Sequence, residues 1–418
     1  MWSVGQTCNI FILRSKRCAV QPETSDPPHH LTLLLGFIIA IGPVSVDMYL
    51  PAFPLISNEF SMATPQLTLA SYFFGFAAGQ MAQGLLSDRF GRRLPLAAGL
   101  LLYTLASLGC ALAHSGLSLC WFRALAAFGA AASIVVPRAM VRDFADGDRA
   151  SALMSEIYQV MSVAPVIAPV LGSLVLLTAP SWRVIFVVAA LYGVAGLFLL
   201  YRYLPESLPP ERRLSASIPA TWRLYADIIQ EPGFVSNTLV GTYGMCALFA
   251  YLAGAPTVFM VQHQMPQWQF GVILAVLGAA TIGFYRLNKY LVTKLGTPRV
   301  ITLGVAIWLS AAICLMLLAW TPDSGVVPVF LGLLLFGFGY SFIPGNAQVG
   351  ALSHHRSHAG TATALMSTMQ YCAGGVAGAL VGKLANGTAM PMASIMLVCA
   401  LGAATAAWLR PRTVMHTS

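Results

Sequence analysis

Gly84-Leu85-Leu86-Ser87-Asp88-Arg89-Phe90-Gly91-Arg92-Arg93 is the stretch whose reading decides the fold. It sits between two long apolar runs, 66–87 and 94–114. An acid inside a basic cluster, with glycine on both sides, suits a tight turn between two helices, because glycine supplies backbone conformations that other residues resist. Asp88 is expected near the helix ends, paired with arginines as a latch that breaks when two parts of the molecule separate. An ordinary basic loop would account for Arg89, Arg92 and Arg93. It would not account for Asp88, Gly84 and Gly91.

Outward from this loop, runs of about 20 apolar residues recur, the length a helix needs to cross a bilayer. They cover 32–56, 66–87, 94–114, 118–139, 152–177, 182–203, 233–261, 268–289, 298–320, 325–350, 357–384 and 391–410. The chain is 57% hydrophobic and 9% charged, with a mean hydropathy of +0.74. A soluble domain carries about a quarter charged residues, so lipid must solvate most of this chain. The expected fold is an all-α membrane protein of twelve spans in two six-helix halves. Residues 31–203 and 233–410 form the halves, and the polar stretch 204–232 links them. Residues 1–30 and 411–418 are short tails. The first tail lacks the apolar core of a cleaved signal peptide.

The net charge of +9 does not signal nucleic acid, since no basic stripe with interleaved aromatics occurs. With both termini in the cytoplasm, 20 of the 23 Lys and Arg residues fall on the cytoplasmic side, as the positive-inside bias requires. Arg183 and Lys383 fall on the other side, and Arg123 lies near or within the membrane. The eight cysteines, Cys8 and Cys18 among them, form no CxxC and lie mostly in apolar runs; they read as small buried residues. His354, His355 and His358 lie in a loop with no Cys or carboxylate partner, so no metal is expected.

The two halves carry traces of duplication. Pro51 and Pro256 are 205 residues apart (256 − 51), and so are Gly91 and Gly296 (296 − 91). Repeats of this kind rock around a central site in secondary transporters.

Two ionisable groups inside spans are expensive unless functional or paired. Asp47, in span one, is the candidate for proton binding, since protonation would neutralise it; capping or a structural pair with an arginine is the alternative. Arg123, early in span four, stays charged and would tune a neighbouring carboxylate, unless it snorkels to the interface. Pro165, Pro169 and Gly172 would bend span five and let it pack closely. Glu156 is either solvated or a charge in the cavity.

The loop from Gly84 to Arg93 resembles the signature loop of the major facilitator superfamily at every defined position. Ser45-Val46-Asp47-Met48-Tyr49-Leu50-Pro51-Ala52-Phe53-Pro54, Arg138-Ala139-Met140-Val141-Arg142-Asp143 and Ala164 to Gly172 resemble the bicyclomycin and chloramphenicol resistance family of drug:proton antiporters. So do Ala247 to Leu252 and Gly360 to Leu365, and the likeness covers about 31–405. It implies roles in coupling for Asp47 and Arg123, although Ala126 and Ala127 replace the family's Gln and Gly. It implies an antiporter helix at Pro165, Pro169 and Gly172, with Ala168 and Ser173 where glycines are usual.

The implied activity is export of small amphipathic molecules against an inward proton flux, in a bacterial inner membrane. No cofactor is expected, and the working unit is a monomer. A nucleoside or sugar-derivative transporter, even in the uptake direction, is the alternative, because this fold fixes neither cargo nor direction. A membrane enzyme would need clustered catalytic groups, and an ATP-driven pump would need the G-x-x-x-x-G-K-[ST] loop; the sequence carries neither. Tyr49, Tyr72, Phe76, Gln80, Tyr158, Tyr243, Phe249, Asn346, Gln370 and Tyr371 are the candidate cavity lining, apolar and aromatic with a few polar groups.

Overall fold

The structure, a computed structural model, describes residues 29–60, 65–145, 147–179, 181–213, 224–321, 324–353 and 359–409. The first tail with Cys8 and Cys18, the three-histidine loop and the last tail lie outside the described residues. Sixteen α-helical segments matter for the argument. They are α1 (His29–Ile39), α2 (Ile41–Asp47), α3 (Phe53–Phe60), α4 (Gln66–Phe90), α5 (Arg93–Ala111), α6 (Gly116–Ala130), α7 (Ala132–Phe144), α8 (Gly147–Thr178) and α9 (Arg183–Tyr203) in the first half. The second half holds α10 (Pro232–Pro256), α11 (Gln267–Leu295), α12 (Thr297–Trp320), α13 (Val326–Tyr340), α14 (Pro344–Leu352), α15 (Ala359–Lys383) and α16 (Met390–Trp408).

Among the described residues, eleven helical stretches are long and apolar enough to cross a membrane. The remaining expected span is α4. It has 25 residues but is not among those eleven, because Gln66, Thr68, Gln80, Gln83 and Ser87 interrupt its apolar sequence. These side chains are all buried in protein. Gln66 bonds Thr257, Thr68 bonds Tyr49, Gln83 lies beside Gly99 and Ser87 accepts from Arg92. These groups meet protein, so hydropathy alone does not count the helix.

Proline sets the breaks inside spans, since it cannot donate to the carbonyl four residues earlier. Pro43 leaves the carbonyl of Ile39, where α1 ends; Pro51 leaves that of Asp47, where α2 ends; Pro344 leaves that of Tyr340, where α13 ends. Between α2 and α3 the chain tightens to one 3₁₀ turn, Leu50–Ala52.

The halves repeat each other in contact as well as in sequence. Gly91 and Gly296 both close a helix with φ of +88° and +78°, a region that L side chains avoid. At the α5–α6 crossing, a Cβ on Gly99 would stand 2.7 Å from the Gly129 carbonyl oxygen. At the α12–α13 crossing, one on Gly304 would stand 2.9 Å from that of Gly339. Gly99 and Gly304 are again 205 apart (304 − 99). Both crossings bring backbones too close for any side chain, the small-residue packing of membrane helices. We expect Gly99→Ala and Gly304→Ala each to lower the melting temperature of the detergent-solubilised protein, because the partner is backbone and cannot yield as a side chain would. Unchanged melting curves would show that the crossings are looser than described.

Candidate functional site

Arg123, on α6, is 2% exposed and lies in the core of the first half. Its Nη1 donates to the Ser45 carbonyl oxygen at 3.1 Å. That oxygen is free to accept because the Tyr49 amide donates to Val46 instead, a 3₁₀ tightening just ahead of Pro51. The guanidinium lies over the rings of Tyr49 at 4.3 Å, Tyr72 at 4.5 Å and Phe186 at 5.7 Å. Each such desolvated contact contributes on the order of 2 kcal/mol. Nε and Nη2 are buried without a hydrogen-bond partner. They border a small void with Ser45, Tyr103, Ser107 and Cys110. The hydroxyls of Ser45 and Tyr103 hydrogen-bond at 2.7 Å, and Tyr49 bonds to Thr68. Arg123 therefore does not snorkel.

Asp47 does not meet Arg123. Among the described residues its carboxylate has no ion pair or hydrogen bond. It is half-buried at the end of α2, and its charge reaches Tyr251 of α10 across the seam between halves. The same segment is clamped from the side by α8. A Cβ on Gly172 would overlap the Met48 carbonyl oxygen, so only glycine admits span one here.

Pro165 and Pro169 lie inside α8, which runs unbroken from Gly147 to Thr178. Their use is at the seam. Gly278 of α11 seats near the Pro165 carbonyl and Gly271 near that of Pro169, while the Ser173 hydroxyl donates to the Gln267 carbonyl at 3.0 Å. On the other side of the seam α4 meets α10 and α15. Phe73 stacks on Phe249 at 3.4 Å, Phe76 meets Tyr371 at 4.6 Å, and Gln66 Nε2 donates to Thr257 Oγ1 at 3.3 Å. These contacts crowd the end of the bundle opposite the Asp88 loop. Toward the loop, Tyr158 of α8 is 39% exposed.

The expected lining residues divide accordingly. Phe76 and Phe249 pack on Tyr371 at 4.6 and 5.7 Å across the seam, and Tyr158 lies beside Arg138. Asn346 hydrogen-bonds Asn288 at 2.9 Å, and Gln370 lies beside Gly241. Gln80 is buried. Tyr49 and Tyr72 belong to the Arg123 cage. Tyr243 presses on Gly402 of α16, inside the second half. Phe73, Tyr251 and Arg138 were not singled out from sequence; a stripe of aromatics at helical spacing, Tyr72-Phe73-Phe76, was the available signal. Glu156 shares a helical stripe with Val163, Ile167 and Leu171, all exposed on the lipid side, which favours the solvated reading.

At the Asp88 loop the hub is Arg92, 6% exposed. It donates to Asp88 at 2.5 Å, to Asp143 at 2.8 Å and to Ser87 at 3.0 Å. Ser207 also donates to Asp143 at 2.8 Å. Arg93 donates to the Tyr201 carbonyl at 2.8 Å, while Arg89 lies over Phe90. A Cβ at Gly84 would meet nothing within 4 Å. The partners named here lie in the first half and, at Ser207, in the linker; among the described residues none lies in the second half. Glu206 completes the cluster by accepting from the amides of Arg92 at 2.7 Å and Arg93 at 3.1 Å at the start of α5. Partial burial opposes its ionisation, but the Arg92, Leu208 and Arg93 amides and the charge of Arg213 outweigh it and hold the carboxyl below its usual range. A lowered folded-state pKa stabilises at neutral pH and is lost as pH falls through the carboxylate range. We expect Glu206→Gln to melt earlier than the native chain at pH 7, with the difference shrinking below about pH 4; a gap independent of pH would contradict the charged role.

The model of the Major Facilitator Superfamily matches residues 35–379. A chloramphenicol resistance protein of Pseudomonas aeruginosa is 30% identical over 84% of this chain and 82% of its own. A bicyclomycin resistance protein homolog of Haemophilus influenzae is 28% identical over 88% and 92%. The crystal structure of a D-xylose-proton symporter superposes with a TM-score of 0.74 at 16% identity, covering 92% of this chain and 97% of that one. The matched span, the paired half-folds and the loop of Gly84 to Arg93 agree: the chain belongs to the Major Facilitator Superfamily.

Proposed function

We propose that this protein exports small amphipathic molecules across a bacterial inner membrane in exchange for protons, by rocking residues 31–203 against residues 233–410 about the linker 204–232. The observation that carries the reading is Asp47, an unpaired carboxylate at a helix break on the seam between the halves. A lone intramembrane acid is retained at a cost and by default marks an ion or proton pathway. Protonation removes its charge; loss of the proton restores a charge that the seam must accommodate. Each protonation state thus favours a different arrangement of the seam, and only such differential stability can drive a conformational change.

The distribution of basic residues supports an orientation with the Asp88 loop and both termini in the cytoplasm. Arg183, on the opposite side, is neutralised by Glu59 at 2.7 Å. In that orientation the packed end faces outward, and on this reading the seam forms its cleft on the cytoplasmic side, the state that loads cargo for export. The relatives named for chloramphenicol and bicyclomycin resistance support drug-like cargo. A single copy holds the whole pathway, so the working unit is a monomer.

A growth screen of an overexpressing strain against toxic compounds identifies the cargo. In inverted vesicles from that strain, Asp47→Asn is expected to insert normally and to abolish pH-gradient-driven accumulation of the compound found. Accumulation at the native rate would remove Asp47 from the coupling step.

A further inference from the structure

The cytoplasmic side of the seam carries positive charge that the coupling mechanism does not use. Arg138 and Arg142 lie four apart on α7 and so share one face. That face looks across the seam, since Arg142 Nη2 lies 3.8 Å from where a Cβ on Gly360 of α15 would stand. The Arg138 guanidinium lies 5.7 Å from the centre of the Tyr158 ring, and its charge reaches Tyr371. Its Nε is buried with no hydrogen-bond partner.

Among the described residues no carboxylate comes within salt-bridge distance of either arginine. Asp143, the nearest acid along α7, is taken by Arg92 and Ser207. Glu156 lies on the lipid-side stripe of α8. Across the seam, Asn288 and Asn346 are bonded to each other, and Thr368 has a buried hydroxyl without a partner. The charges of Asp88 and Asp143 reach Arg142; around Arg138 the described residues offer tyrosine rings and neutral polar groups.

The partly buried Arg138 keeps an Nε with no hydrogen-bond partner, a donor that a ligand's acceptor can satisfy. A carboxylate meets the guanidinium with short, charge-assisted bonds, in the planar geometry that suits its fork. Tyr158, Tyr371 and Phe76 supply ring faces beside it. We propose that the preferred cargo is an aromatic amphipath bearing a carboxylate, with its acid on Arg138 and its ring between Tyr158 and Tyr371. This rests on the reading of the cleft as the loading site.

The test is equilibrium binding to the purified full chain in lipid nanodiscs, corrected with empty nanodiscs. The probes are three dansyl compounds of the same ring: dansylglycine, its neutral amide, and the cationic dansyl ethylenediamine. The anion is expected to bind roughly tenfold or more tighter than the amide, the range of a hydrogen bond to a charged group. Arg138→Gln should bring the anion to the level of the amide and leave the amide unchanged, while Arg138→Lys should recover part of the difference.

Equal binding of all three probes by the native chain, preference for the cation, or binding of none would overturn the proposal, whatever the variant does. An equal loss for all three in Arg138→Gln would mean a packing role and would overturn it too. Asp47→Asn should still prefer the anion. Loss of coupled transport in that variant, with preference kept, separates the two readings; intact coupling without anion preference faults this one alone.

Discussion

One buried charge organises the first half. Arg123 is withdrawn from water with a single hydrogen bond to a protein oxygen and three aromatic faces around it. Stranding a charge of this kind costs several kcal/mol, so the surroundings must be fitted to it. The fit comes from span one. Pro51 deprives the helix of a donor, the Tyr49 amide turns to Val46, and the carbonyl of Ser45 is released to Arg123. The broken helix would leave an unsatisfied carbonyl without the arginine, and the arginine would have no oxygen without the break. Each stabilises the other, and together they fix Asp47 two residues further along, pointing away from the only nearby buried cation and toward the second half.

The seam is built from complementary small and large groups. Glycines on α11 and α15 accept backbone or rings from the first half, as Gly271 does at Pro169 and Gly375 does at Phe74. Stacked rings of Phe73 and Phe249 close the middle. Contacts of this kind are either made or broken, since packed interfaces do not deform continuously. That gives the two halves discrete arrangements, and Asp47 lies at the seam between them, where its charge reaches Tyr251.

The spans were legible because hydrophobic length and charge placement are properties of single segments. Helix boundaries such as 94–114 against Arg93–Ala111 follow from that. The α4 span was legible as length but fell short in hydropathy, because its glutamines are shielded by neighbours that no local window sees. The pairing of residues distant in sequence was not legible. Asp88 announced an ion pair, but Arg92 as its hub, with Asp143 and Glu206 as further partners, depends on how α4, α7 and α9 converge. Arg123 and Asp47 were read as partners because both are intramembrane and ionisable; the turn of span one between Ser45 and Asp47 points their side chains to different neighbours. Tyr243 was chosen for its residue type, and its orientation toward Gly402 depends on helix rotation.

The claim that most of this depends on is that the seam above Asp47 must open for turnover. Gln66 and Thr257 meet there, side chain to side chain, at 3.3 Å. In a chain whose native cysteines are replaced, cysteines at these two positions can be joined by oxidation and released by reduction. The account predicts that joining them stops transport of the screened cargo, that reduction restores it, and that the cytoplasmic cleft still binds its probe while the bridge is closed. Transport at the native rate with the bridge complete would contradict it.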